Sequence, residues 1–148
     1  MNGGSIGDQD HTAFAHEALD HLLAGRDPAF TATERQVLRV TRVRTSVQAL
    51  EASVTDPNRR SPGSLPFILC QGTAVPGFGS TVRRCDILFG EPPLTQPHYT
   101  PASATLTLHL DRADAAATMA VVGQPRVHAV FVAAADGITI GGVYGWDT

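Results

Sequence analysis

The chain has 148 residues, 43% of them hydrophobic and 17% charged, with a net charge of −3. That is one domain with enough apolar material for a core, and it gives no overall electrostatic case for binding nucleic acid or an anionic membrane. All eleven basic residues are arginines, which excludes Schiff-base and general-base chemistry through lysine.

Residues 1–9 contain three glycines and no periodic apolar position, so they read as a flexible tail ahead of a single domain at 10–148. They also lack the basic and apolar regions of a secretion signal, and no apolar run is long enough to span a bilayer, so the expected setting is cytoplasmic, without membrane contact. A first helix is expected over 11–24. Phe14, Ala18 and Leu22 alongside Ala15, Leu19 and Leu23 supply its apolar stripe, and Gly25 ends it.

Thr31 and Glu34 have capping-box spacing, and Val40, Val43, Val47, Leu50 and Val54 then recur at steps of three and four. The pattern predicts a second helix to about residue 53, paired with the first in a helical hairpin. Arg35, Arg39 and Arg42 share another side of that helix as a candidate anion patch, near Arg44, Arg59 and Arg60. Residues 1–34 carry six acids and one arginine, against two acids and six arginines in 35–60. Packing of one helix against the other explains that asymmetry, and without interleaved aromatics nucleic acid is not expected as a partner.

Residues 56–64 read as a loop, after which the period changes to strand. Runs at 67–75 and 81–89 flank Pro76-Gly77-Phe78-Gly79, and a four-residue loop places Cys70 directly opposite Cys85. Two reduced core thiols are expected of a cytoplasmic chain, although the placement also suits a disulfide. Residues 91–101 are too rich in proline for a central strand. Ala104, Leu106, Leu108 and Leu110 then alternate with polar residues, as in a strand with one dry face. Residues 113–122 predict a short helix closed by Gly123, and a right-handed crossover would set the preceding strand parallel to the next.

The stretch 127–146 consists of two apolar runs joined at Asp136-Gly137. That dipeptide predicts a two-residue turn, with Phe131 opposite Gly142 and Val127 opposite Trp146 on one face. His128, Val130, Val132 and Val143 fall on the other. A hairpin apolar on both faces is expected at the centre of a sheet.

No nucleophile elbow, phosphate loop or dinucleotide fingerprint occurs, so no cofactor is implied. His11, His16 and His21 step by five and spread around a helix. His109 and Asp111 share a strand face, His98 can approach from the proline-rich stretch, and His128 is a possible further ligand. These four form the candidate set for a divalent metal.

The expected fold is α+β. An N-terminal helical hairpin packs on a mostly antiparallel sheet of about five strands, with a short helix before the last β-hairpin. The expected function is a non-catalytic protein-interaction or assembly domain, through a protein partner or self-association. Val130, Val132, Val143 and Trp146 would form the interacting surface. The alternative is a small ligand-binding or metal-dependent enzyme with a His/Asp pocket.

Overall fold

The computed structural model describes residues 3–24, 31–49 and 64–147, with side chains for 12–24, 31–45 and 67–147. One helix, α1 (Gly3–Leu23), precedes β1 (Ala32–Ala49), β2 (Ser64–Ala74), β3 (Arg84–Gly90), β4 (His98–Thr100) and β5 (Thr105–Asp111). A second, α2 (Ala115–Val122), precedes β6 (Arg126–Ala134) and β7 (Thr139–Trp146). Helix α1 begins inside the segment expected to be a tail. The loop expected at 56–64 and the arginines Arg59 and Arg60 lie largely or wholly outside the described residues.

The strands form one seven-stranded mixed sheet in the order β4-β5-β3-β2-β1-β6-β7, curled into a half-barrel. This replaces the expected helical hairpin on a five-stranded sheet, because residues 32–49 are strand. The reason lies at Thr41. In the β1–β2 ladder Val40 pairs with Gly72 and Arg42 with Gln71, so Thr41 is the extra residue of a β-bulge. On either side of it the side chains alternate with period two. Across it Val40 and Val43 fall on one face three residues apart, and that spacing is what imitates a helical seam. Gly72 accommodates the bulge because it has no Cβ, which would overlap the Arg39 carbonyl oxygen.

The concave, inner face holds the larger core, with Leu38, Ile68, Cys70, Cys85, Ile87, Leu106, Leu108, Ala129 and Phe131 among its buried members. The curl brings strands distant in sheet order together across it. Leu108 of β5 sits so close to Gly141 of β7 that a Cβ on that glycine would be 2.7 Å from the leucine methyl. The Thr139 hydroxyl donates to the Pro97 carbonyl oxygen at 2.6 Å, tying β7 to the segment before β4. Val122 of α2 joins this core. The outer face is covered by α1 over β1, β6 and β7, where Ala15, Ala18 and Leu19 bury against Val37, Val130, Val132 and Ile140.

The carboxy-terminal hairpin differs from expectation by one residue. Its loop is Ala135-Asp136-Gly137: the Ala134 N–H donates to the Ile138 carbonyl and the Gly137 N–H to that of Ala134. A two-residue type I′ turn needs positive φ at both central positions, whereas here Gly137 alone has it, at 89°. Asp136 instead accepts from the Ile138 N–H with its side chain. Phe131 therefore pairs with Gly141, Val127 with Gly145 and Arg126 with Trp146. A shift of one exchanges the faces of every β7 side chain relative to β6. Val143 joins the inner core, and Trp146 turns outward beside α1. The hairpin is not central either, since β7 ends the sheet order. The expected parallel neighbour of β5 is also corrected: it is β3, with β6 four places away.

Other expectations hold. Phe67 to Gln71 pair with Leu88 to Arg84, which sets Cys70 opposite Cys85, and both are free thiols. The alternating strand is β5, with Leu106 and Leu108 buried. The short helix α2 ends at Gly123.

Candidate functional site

The part of the outer face that α1 leaves uncovered, from β1 across β2 and β3 to β5 and β4, gathers most of the side chains with chemical potential. Register defines its rows. Arg44 pairs with Leu69, Leu69 with Asp86, Asp86 with Thr107 and Thr107 with His98. Ser46, Phe67, Leu88 and His109 form the next row, and Arg42, Gln71, Arg84 and Thr105 lie on the other side. Phe67 and Leu69 are half-buried, and Leu88 is 36% exposed. Among the described residues, none of these three belongs to either buried core. They form an apolar patch, with arginines on its β1 side and histidines toward β4.

The arginine side owes its form to the bulge. Arg35, Val37 and Arg39 alternate onto the outer face, and the extra residue at Thr41 then returns Arg42 and Arg44 to that same face. Of the expected anion patch, Arg39 and Arg42 are thus brought together, with Arg44 added. Arg35 is separated from them by Val37, which is fully buried beneath α1, and four strand residues span roughly 13 Å. Among the described residues no acidic group lies within 4.0 Å of Arg39, Arg42 or Arg44. On β3, by contrast, the Arg84 Nε donates to an Asp86 carboxylate oxygen at 2.6 Å, with a second bond at 3.2 Å.

The metal candidates divide. His98 and His109 lie on a cross-strand diagonal of β4 and β5, their rings stacked with centroids 5.9 Å apart and planes at 29°. Partial burial, and secondarily the neighbouring His98 imidazole, pull His109 below its usual pKa of 6.5. Asp111 lies further along the same face, but its carboxylate accepts from the Ala113 N–H at 3.0 Å and caps the 3-10 turn before α2. His128 is on β6, four strands from β5 in the sheet order. It is fully buried, edge-on to Trp146 with centroids 5.6 Å apart. Among the described residues no three His, Cys, Asp or Glu side chains converge on one point.

The residues expected to form an interacting surface have other neighbours. Val130 and Val132 are fully buried under α1, and Val143 packs against the inner core. Trp146 meets Phe14 of α1 at 4.8 Å, and the Arg126 guanidinium lies 5.0 Å over the Phe14 ring. This cluster fastens α1 to the sheet.

Sequence reading missed the polar network at one end of the half-barrel. The side chain of Gln36 is almost fully buried. Its Oε1 accepts from the N–H groups of Thr81 and Val82, at 2.9 and 3.1 Å, while its Nε2 donates to Glu34. The Ser80 hydroxyl donates to the Arg35 carbonyl and accepts from the Val37 N–H, and the Thr81 and Tyr99 hydroxyls are 2.7 Å apart. Two open depressions flank it, of about 290 Å³ beside Phe78 and Glu34 and about 550 Å³ beside Thr73 and Arg83. The Gln36 carboxamide oxygen and the Ser80 hydroxyl there are engaged in holding backbone. The signal for this network was a lone Gln between Arg35 and Val37, which period alone cannot distinguish from a surface residue.

Cys70 and Cys85 are fully buried on the inner face. Burial, and secondarily the Asp86 carboxylate, push the Cys70 thiol up to about 12. Burial raises Cys85 well above its usual 9.0. Neither is poised as a nucleophile or metal ligand. No protein-family model, curated protein or solved structure matches the chain.

Proposed function

We propose that the chain is a non-catalytic protein-interaction domain, and that the uncovered outer face from β1 to β5 holds a partner segment in which acidic residues flank an apolar anchor. The observation that carries this reading is one juxtaposition. An apolar patch of Phe67, Leu69 and Leu88 lies beside Arg42 and Arg44, which have no acidic partner among the described residues. Desolvating an apolar anchor at the centre while neutralising charge at the rim is how protein interfaces divide affinity from steering. The reduced thiols suit a cytoplasmic setting, and no helix is long and apolar enough to cross a membrane.

Titrating a synthetic peptide of alternating glutamate and phenylalanine into the protein, followed by amide NMR, tests this. The expected result is a set of shifts confined to Arg42, Arg44, Leu69, Asp86 and Leu88, abolished in Leu88→Glu and weakened as salt rises. Shifts located elsewhere overturn the reading. A uridine oligonucleotide that binds the same face more tightly than the peptide also overturns it, in favour of nucleic acid. Association of the protein with itself through this face, seen by light scattering without peptide, would replace the external partner by a second copy.

A further inference from the structure

The two histidines at the β4 side of the face form a separate feature of the same surface. We propose that His98 and His109 together form a two-imidazole chelating site for a late first-row divalent cation. The candidate set read from sequence is thereby reduced to two residues, because Asp111 is held at the turn it caps and His128 lies on β6, four places from β5 in the sheet order.

A tetrahedral cation 2.0–2.1 Å from one nitrogen of each ring sets two imidazole centres roughly 5 Å apart. His98 and His109 stand at 5.9 Å, close to that separation, with their rings stacked and planes 29° apart, so closing the chelate requires both imidazoles to turn a nitrogen edge toward a common point. The backbone supplies the fixed part. Both residues are held by the β4–β5 ladder, where His98 is directly opposite Thr107 and His109 is two residues further along β5. Pairs on this diagonal lie within reach of one another because strand spacing and pleat set the distance. A chelate held by two adjacent strands loses less conformational freedom on binding than two independent histidines would.

The rings are also accessible. His98 is exposed and His109 half-buried, so the remaining coordination positions open to solvent. Imidazole nitrogens without thiolate or several carboxylates select copper, nickel and zinc over calcium or magnesium. With the ligand set held constant, affinity is expected to peak at Cu²⁺ and to be weaker for both Ni²⁺ and Zn²⁺. The site does not depend on the interaction reading, since it needs neither the apolar patch nor the arginines.

Calorimetry with Cu²⁺, Ni²⁺ and Zn²⁺, and with Mg²⁺ for comparison, each added alone to the full chain, provides the test, with imidazole NMR signals identifying the ligands. The expected result is one equivalent bound, with the His98 and His109 signals perturbed together. His98→Ala and His109→Ala should each weaken binding at least ten-fold, as a chelate requires, while His16→Ala and His21→Ala leave it unchanged. Circular dichroism confirms that the variants fold. If either substitution at the pair leaves affinity within two-fold, or if the helix histidines respond first, the site is overturned. Equal affinity for Mg²⁺ overturns it as well.

Discussion

Gln36 and Val82 are joined by a hydrogen bond in which a side-chain carboxamide takes the place of a neighbouring strand. The Gln36 Oε1 lies 3.1 Å from the Val82 N–H, in a position from which solvent is excluded. With the bond to Thr81 N–H, it closes the end of the half-barrel where β2 has ended and β3 has not begun. Replacing Gln36 with leucine keeps the volume and removes the acceptor. A buried N–H left without a partner costs about 1–3 kcal/mol, so urea denaturation of Gln36→Leu should show a loss in that range. A loss below about 0.5 kcal/mol would mean that water replaces the carboxamide.

The bulge at Thr41 makes a second prediction. Gly72→Ala places a methyl group against the Arg39 carbonyl carbon and oxygen, which belong to the backbone and cannot swing away. The ladder must shift, at a cost of about 1–3 kcal/mol or more. Gly142→Ala serves as the comparison, because the atoms a methyl would meet there belong to the Tyr144 ring, at 3.3 Å and beyond. Thermal denaturation should rank Gly72→Ala well below Gly142→Ala. Equal melting temperatures would argue against the close approach.

The buried thiols set the alkaline limb of stability. Cys70 and Cys85 both have folded pKa values raised above the unfolded value of 9.0. Their contribution is therefore fully present below pH 9 and is lost as pH rises toward the folded values, because only the unfolded chain releases these protons. Each group adds about 1.4 kcal/mol of loss per pH unit in that window, which for Cys70 extends to about 12. Cys70→Val should flatten the fall in stability measured by urea denaturation between pH 9 and 10.5. At pH 8 a water-soluble thiol reagent should label neither cysteine until urea is added, and rapid labelling of the native protein would contradict their burial.

Arg39, Arg42 and Arg44 are expected to matter for binding and little for folding. Arg42 and Arg44 are exposed, and exposed charges typically contribute below about 1 kcal/mol each. The Arg42→Gln, Arg44→Gln double variant should melt within a few degrees of the parent. It should also lose most of the salt dependence of binding to the acidic peptide. Cooperative loss of the fold would show that these guanidinium groups have structural partners.

Much of the sheet was legible in local pattern. The opposition of Cys70 and Cys85 was read correctly, although the β2–β3 ladder stops at Gln71 and Arg84 and the connection between the strands runs from Val75 to Arg83 instead of four residues. The alternation of Leu106 and Leu108 with Thr105 and Thr107 determined which face of β5 is dry, and the apolar character of both faces of β6 required a cover on each. His109 could be placed on the wet face for the same reason.

What the chain alone left open depended on single residues that interrupt a period. One unpaired residue, Thr41, turned a strand pattern into an apparent helical one, and one extra loop residue, Ala135, moved Val143 and Trp146 to opposite faces from those expected. The encounter of His98 with His109, and the separation of both from His128, followed from strand order, which only packing of the curled sheet decides. Periodicity is a property of neighbours along the chain. Strand order and curl arise from contacts between residues far apart in it, such as Leu108 with Gly141, and no local pattern encodes them.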